Sequence, residues 1–139
     1  ARDNTVRNST GHVGVWLKSL TPGLRVSLAV DDGAATERGL LRDVVADGEW
    51  RLYEWDLDDA AQWENWFNGN GVIDADTFTL DSLQVYGASG DATLWIDAIA
   101  HNAYGSLGPA IPEPVAGTTA ATAVAIAIMA SRRKRLRAA

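Results

Sequence analysis

Short runs of alternating apolar and polar residues, separated by breaks rich in Gly and Asp, organise the first hundred positions. The clearest run is Leu24 to Val30. Leu24, Val26, Leu28 and Val30 point one way and Arg25, Ser27 and Ala29 the other, the period-two signature of a strand buried on one face. His12 to Lys18 places Val13, Val15 and Leu17 together, and Thr21-Pro22-Gly23 between these runs reads as a turn. Leu40 to Ala46 is a third predicted strand, closed by Asp47-Gly48. Trp50 to Leu57 is a fourth: Arg51, Tyr53, Trp55 and Leu57 share what looks like the core face, opposite Trp50, Leu52, Glu54 and Asp56. Phe78 to Tyr86 is a fifth, and the slip in its alternation between Leu80 and Leu83 predicts a bulge. Ala92 to Ala100 is the last, with Leu94, Ile96 and Ala98 on one face.

One stretch departs from this period. Trp63, Trp66 and Phe67 fall at i, i+3 and i+4, which predicts one or two helical turns over Asp59 to Phe67, with the three rings plugging one end of the molecule. Asn68-Gly69-Asn70-Gly71 then breaks the chain direction. No strand–helix–strand alternation points to a parallel sheet. The expected fold is all-β, an antiparallel β-sandwich of jelly-roll type over residues 1–101, followed by a Gly-rich linker at 102–111. A jelly roll uses about eight strands, so the sandwich reads as N-terminally incomplete. The start at Ala1, without initiator Met or signal peptide, reads as a processed chain or the C-terminal piece of a longer one.

The pattern changes again beyond residue 111. Pro112-Glu113-Pro114 is a stiff, non-helical element. Val115 to Ala130 carries no charge and no Pro, and Arg132, Arg133, Lys134, Arg135 and Arg137 follow at once. This predicts a membrane helix over 115–131 stopped by a basic cluster at 132–137. Its apolar core gives roughly 24 Å of helix at 1.5 Å per residue, short of the ~30 Å hydrocarbon layer. Arginine snorkelling recovers part of the deficit. The span is rich in Ala and Thr, which suits a temporary anchor. The positive-inside rule keeps the basic end in the cytoplasm and puts the body outside. An ordinary permanent anchor and an amphipathic surface helix are the competing readings, and the absence of a polar stripe counts against the second.

Charge sharpens this division. Residues 1–109 hold 7 Lys and Arg against 17 Asp and Glu, a net of −10, whereas residues 110–139 hold 5 against 1, a net of +4. The acidic body excludes nucleic acid as a partner, because it would repel phosphates. There is no Cys, which removes disulfides, thiolate zinc sites and a cysteine nucleophile, and the two His do not make a His-rich metal site.

Pro112-Glu113-Pro114, the uncharged span and the terminal basic cluster, in that order, resemble the PEP-CTERM sorting tail of Gram-negative bacteria. The resemblance covers about a fifth of the chain. It implies processing by an exosortase, a membrane cysteine protease-transpeptidase. The body would be anchored transiently in the inner membrane, facing the periplasm, then released to the cell surface or extracellular matrix. A Thr-rich span and Leu136 within the basic cluster depart from the usual tail.

The body offers binding chemistry more readily than catalysis. Six Trp are many for this length. Sugar faces stack on such rings while neighbouring polar groups take the hydroxyls, so Trp50, Tyr53, Trp55, Trp63 and Trp66 are candidate glycan contacts; the competing reading is that they fill the core. Asp56, Asp58 and Asp59, and Asp74 with Asp76, form acidic groups that do not fit a Ca²⁺ loop of EF-hand spacing and read as turn acids. Glu49, Glu54 and Glu64 could supply paired carboxylates, but no nucleophile elbow, zinc-protease or phosphate-loop motif accompanies them. His12 and His101 read as strand-end or surface residues. No enzyme is expected within this chain and no cofactor is implied with certainty.

Asp47-Gly48-Glu49-Trp50 with Tyr53 to Leu57, Leu80-Asp81-Ser82-Leu83, and Ala92 to Asp97 resemble recurring segments of jelly-roll galactose-binding-like and carbohydrate-binding modules. That resemblance covers roughly residues 11–101. It implies a sandwich that binds extracellular polysaccharide or serves as a structural module, and it puts Asp97 where the closing-strand acid of some modules sits near a structural Ca²⁺. The alternative is an accessory C-terminal module of a larger secreted glycan-active enzyme.

Overall fold

The computed structural model describes residues 5–6, 8–87 and 90–108. The sorting motif at Pro112, Glu113 and Pro114, the span at 115–131 and the basic cluster lie outside these residues.

Nine strands follow one another: β1 (Thr5–Val6), β2 (His12–Ser19), β3 (Arg25–Asp32), β4 (Ala35–Gly39), β5 (Arg42–Asp43), β6 (Arg51–Asp56), β7 (Trp63–Phe67), β8 (Phe78–Tyr86) and β9 (Leu94–Asn102). The larger sheet has the order β1-β8-β3-β4-β7, with β5 also paired to β3; the smaller has the order β6-β2-β9. Every pairing is antiparallel. The described part of the chain is therefore all-β, two sheets facing each other across one core.

The core follows from the alternation. Val13, Val15 and Leu17 of β2 meet Val26, Leu28 and Val30 of β3, with Tyr53 and Trp55 of β6 beside them and Leu24, Leu57, Trp63 and Phe78 closing the ends. Trp55 is fully buried, and its indole N–H donates to the Leu40 carbonyl at 2.8 Å, crossing from one sheet to the other. Its ring lies against Gly39, where a Cβ would come within 2.6 Å of Cδ1 and Nε1. Trp63 makes the reciprocal link, donating from Nε1 to the Asp56 carbonyl at 2.7 Å.

Four local expectations are corrected. Asp59 to Phe67 is not helical: a single 3₁₀ turn covers Ala60–Gln62, and Trp63–Phe67 is strand β7. The register of β4 on β7 slips between Thr36 and Glu37, so Trp66 is an extra residue on β7. Such a bulge shifts aromatic positions into helix-like spacing. Trp66 and Phe67 do not plug the sandwich but are 46% and 64% exposed, and only Trp63 is buried. Leu40 to Ala46 contributes only the two-residue β5, while Ala35–Gly39, which has no large apolar residue to signal it, forms β4. The last strand runs from Leu94 to Asn102 rather than Ala92 to Ala100, and its register on β2 slips between Val15 and Leu17, leaving Ile96 51% exposed. The bulge expected in Phe78–Tyr86 is present: Ala29 pairs with Ser82 and Val30 with Leu80, so Asp81 is the extra residue.

Two buried carboxylates hold the connection from β7 to β8. Glu37 points to the core side of β4 at 1% exposure and accepts from the backbone N–H groups of Asn70 and Gly71, at 2.7 and 3.0 Å. Asp32, at 6% exposure, accepts from those of Asp74 and Ala75, both at 2.8 Å. Backbone donors in a loop passing over a core need acceptors, and these side chains supply them.

Candidate ligand-binding face

The faces of the sheets turned away from the core are where a ligand can meet side chains. On the larger sheet, β3 contributes Ser27 and Ala29 to that face. These small residues leave space above them. Arg38, paired with Ala29 from β4, crosses β3 through this space, and its Nη1 donates to the Tyr86 hydroxyl on β8 at 2.8 Å. Ser27 and Ala29 are consequently fully buried although they face outward.

Arg38 is fixed from the other side as well. Its Nε and Nη2 donate to Glu64 Oε1 on β7, at 2.8 and 2.5 Å. The Tyr86 hydroxyl donates in turn to Gln84 Oε1 at 2.9 Å. The Trp66 ring stacks on the guanidinium, 4.1 Å from its carbon to the ring centroid, and the Tyr86 ring lies 5.8 Å away. Of the five guanidinium N–H groups, three are engaged by Glu64 and Tyr86. One remains on each Nη, beside a half-exposed indole. The Glu64 charge balances that of Arg38, so the face combines an aromatic surface, fixed donors and little net charge.

The expected glycan contacts do not form one surface. Tyr53, Trp55 and Trp63 are core residues at 7%, 0% and 5% exposure, unable to stack on a ligand without unfolding. Trp66 lies on the outer face of the larger sheet. Trp50 lies on the outer face of the smaller one, where Lys18 Nζ sits between it and Trp95, 4.8 and 5.2 Å from the two ring centroids. The β-strand alternation identified Tyr53 and Trp55 as core correctly. Arg38, Gln84 and Tyr86 were missed, and their signal was weak: polar residues on the non-core face of strands, one of them in the unrecognised β4.

Several of the remaining candidates have structural partners. Asp58 accepts from the Gly11 N–H, Asp59 from the Ala61 N–H, and Asp74 from the Asn70 side chain. Glu54 accepts from the Ser106 hydroxyl at 2.7 Å and the Leu107 N–H at 2.9 Å, so the chain after β9 is clipped across the outer face of the smaller sheet. Leu107 lies over Gly14, where a Cβ would come within 2.8 Å of its Cδ1. Asp97 is exposed at the β9 irregularity, and among the described residues no group of three or more His, Asp or Glu side chains is arranged to hold a metal ion. His101 packs edge-on against Phe78, with Nε2 2.8 Å from the Thr10 carbonyl. An open cleft of about 450 Å³, lined by His12, Arg42, Asp43, Leu52, Glu54 and Gln62, lies beside β6. His12 Nε2 is 3.9 Å from Asp56 Oδ2 there, too long for a hydrogen bond.

One ion pair carries a shifted titration. Arg51 donates to Asp47 from Nε at 3.0 Å and also from Nη2, and the Glu49 N–H donates to Asp47 at 3.0 Å. These contacts, the Arg51 bond foremost, hold the Asp47 carboxyl below its ordinary value of 3.8.

No family model matches the chain, and no curated protein or solved structure matches it significantly. Among the described residues no helix is long and apolar enough to cross a membrane.

Proposed function

We propose that this chain is an exosortase-sorted surface or matrix protein of a Gram-negative bacterium, whose jelly-roll sandwich binds extracellular polysaccharide on the outer face of its larger sheet. The export half of the reading rests on the ordered tail of Pro-Glu-Pro, uncharged span and basic cluster. The binding half rests on one observation: an exposed Trp66 ring beside an arginine already fixed in position by Glu64 and Tyr86. Sugar rings are recognised by an apolar face for their C–H groups and by oriented donors for their hydroxyls. Because Arg38 is already ordered, little side-chain entropy is lost when a sugar docks. The protein acts here by binding and not by catalysis: of the three carboxylates considered for hydrolysis, Glu54 and Glu64 are engaged in structural contacts, which leaves Glu49 without either of them as a free partner. The chain leaves the described fold at Gly108 across the opposite sheet, which suits display of this face away from a C-terminal tether.

The test is glycan-array binding, followed by titration calorimetry with the best polysaccharide. Trp66→Ala is expected to weaken binding at least about tenfold, the scale of losing one aromatic anchor, with the melting temperature unchanged within a few degrees. Trp95→Ala, on the opposite sheet, is expected to leave binding intact. Unchanged affinity in Trp66→Ala, or loss only in Trp95→Ala, refutes the assignment of the face.

A further inference from the structure

Asn-Gly occurs twice in the chain, at Asn68-Gly69 and Asn70-Gly71, both in the connection between β7 and β8. The Gly carries no Cβ to shield its backbone nitrogen, so each pair can close a ring between that nitrogen and the Asn carboxamide carbon. The fold treats the two pairs differently. Asn70 is held at both ends of its carboxamide: Oδ1 accepts from the Val72 N–H at 2.9 Å and Nδ2 donates to Asp74 Oδ2 at 3.0 Å. The attacking nitrogen is held as well, since the Gly71 N–H donates to the buried Glu37 carboxylate at 3.0 Å. Asn68 is exposed, and among the described residues its carboxamide has no hydrogen-bond partner. The Gly69 N–H donates to an exposed side chain, Asn65 Oδ1, at 3.0 Å. Asn68 turns the chain out of β7 with φ of 54°, the one positive value at a non-glycine residue among those described. Asn adopts this conformation more readily than bulkier residues do, so the turn itself favours the reactive residue type.

We propose that Asn68-Gly69 is a self-modification site that converts spontaneously to isoaspartate, while the fold protects Asn70-Gly71. The Gly69 nitrogen loses its proton and attacks Asn68 Cγ. An N–C bond forms, the Cγ–NH₂ bond breaks and ammonia leaves, giving a five-membered succinimide. Water, the only co-reactant, then adds to one of the two ring carbonyls. Opening at the side-chain carbonyl gives Asp. Opening at the main-chain carbonyl gives isoaspartate, whose backbone runs through Cβ and Cγ and is one carbon longer. Either product adds a negative charge next to Phe67 and Trp66. The isoaspartate also meets a limit of space. Gly69 packs so closely on Glu37 that a Cβ there would lie 2.0 Å from Oε1, and the next two backbone N–H groups are the ones that Glu37 accepts. A longer backbone at position 68 displaces Gly69 from the carboxylate and pulls these donors off it. The site is a clock that loosens the connection from β7 to β8 with age, and its chemistry does not depend on what the neighbouring face binds.

The test keeps the 139-residue chain in mildly alkaline buffer, folded and, in parallel, in concentrated guanidinium chloride. Conversion is followed by peptide mass mapping, with isoaspartate told from Asp by electron-transfer fragmentation. Three hydrogen bonds hold the reacting groups of Asn70-Gly71 and one holds those of Asn68-Gly69. In the folded protein Asn68 is therefore expected to convert at least about tenfold faster than Asn70. In denaturant the two rates become nearly equal. Asp74→Ala, a change at an exposed side chain, is expected to speed Asn70 and leave Asn68 as it was. The converted chain, separated by ion exchange through its added charge, is expected to melt lower than the unconverted one and to exchange its Asn70 and Gly71 amides faster. Equal rates at Asn68 and Asn70 in the folded protein overturn the proposal. So does a difference that survives in denaturant, because it then belongs to the local sequence and not to the fold. A converted chain with unchanged melting and exchange overturns the coupling to Glu37. Glycan binding is not a readout here, so its failure and this one are separable.

Discussion

Replacing Glu37 by Gln changes a single oxygen for an NH₂ group at a site with no freedom to adapt. The carboxylate is 1% exposed and each oxygen serves one backbone donor, Asn70 N–H through Oε1 and Gly71 N–H through Oε2. A carboxamide has one acceptor oxygen, so one N–H loses its partner and faces another donor. Rotation offers no relief: the backbone of Gly69 is so close that a Cβ there would lie 2.0 Å from Oε1 and 2.6 Å from Oε2. A hydrogen bond to a charged group is worth ~1.5–3 kcal/mol, and relief of the buried charge offsets part of its loss. The net expectation is a destabilisation of about 2 kcal/mol. At roughly 4–8 °C per kcal/mol for a domain of this size, the melting temperature falls by about 10 °C. Hydrogen exchange adds the local readout. The Asn70 and Gly71 amides are expected to exchange at least about tenfold faster in the variant, while Asp74 and Ala75, held by Asp32, change less. An unchanged melting temperature together with unchanged exchange at Asn70 and Gly71 refutes the clamp.

Three further outcomes follow from other contacts. Gly39→Ala drives a methyl into the Trp55 ring and is expected to cost about 1–3 kcal/mol in urea unfolding, the usual scale of overpacking; a neutral result means that Trp55 can shift. Because the Asp47 carboxyl titrates below 3.8 in the folded protein, its pair with Arg51 is present above that value and is lost as pH falls through the folded titration. An NMR titration of Asp47 should show the depressed midpoint, and Arg51→Ala should move it back up; no movement removes Arg51 as the cause. In the native host, Glu113→Ala or neutralisation of Arg132 to Arg137 is expected to leave unprocessed protein in the membrane fraction on immunoblots, and normal release in both variants refutes the exosortase reading.

What the sequence made legible was the core. The alternation in β2, β3 and β6 put Val15, Leu28 and Trp55 inward, and the slip in β8 located a bulge at Asp81. Periodicity works there because burial on one face imposes a period of two. It failed where a second requirement overrode it. In β7, the extra residue Trp66 gave the aromatic spacing of a helix. In β4, a core-facing position is held by Glu37, because the Asn70–Gly71 amides need an acceptor more than the core needs another methyl. At the proposed ligand face the difficulty is general. Arg38 and Tyr86 come together only through the strand order β8-β3-β4, and nothing local in either segment announces a partner about fifty residues away.

The clip at Glu54 has a mechanical consequence. Tension applied to the chain beyond Gly108 reaches the fold first at the Ser106 and Leu107 bonds to Glu54, before it reaches β9. If those bonds yield, the load passes to Asn102 and begins to peel β9, whose one strand partner among the described residues is β2. The pair of hydrogen bonds on Glu54 thus acts as a fuse. It sets the force at which a tethered molecule begins to lose its smaller sheet, while the larger sheet and its Trp66–Arg38 face stay loaded last.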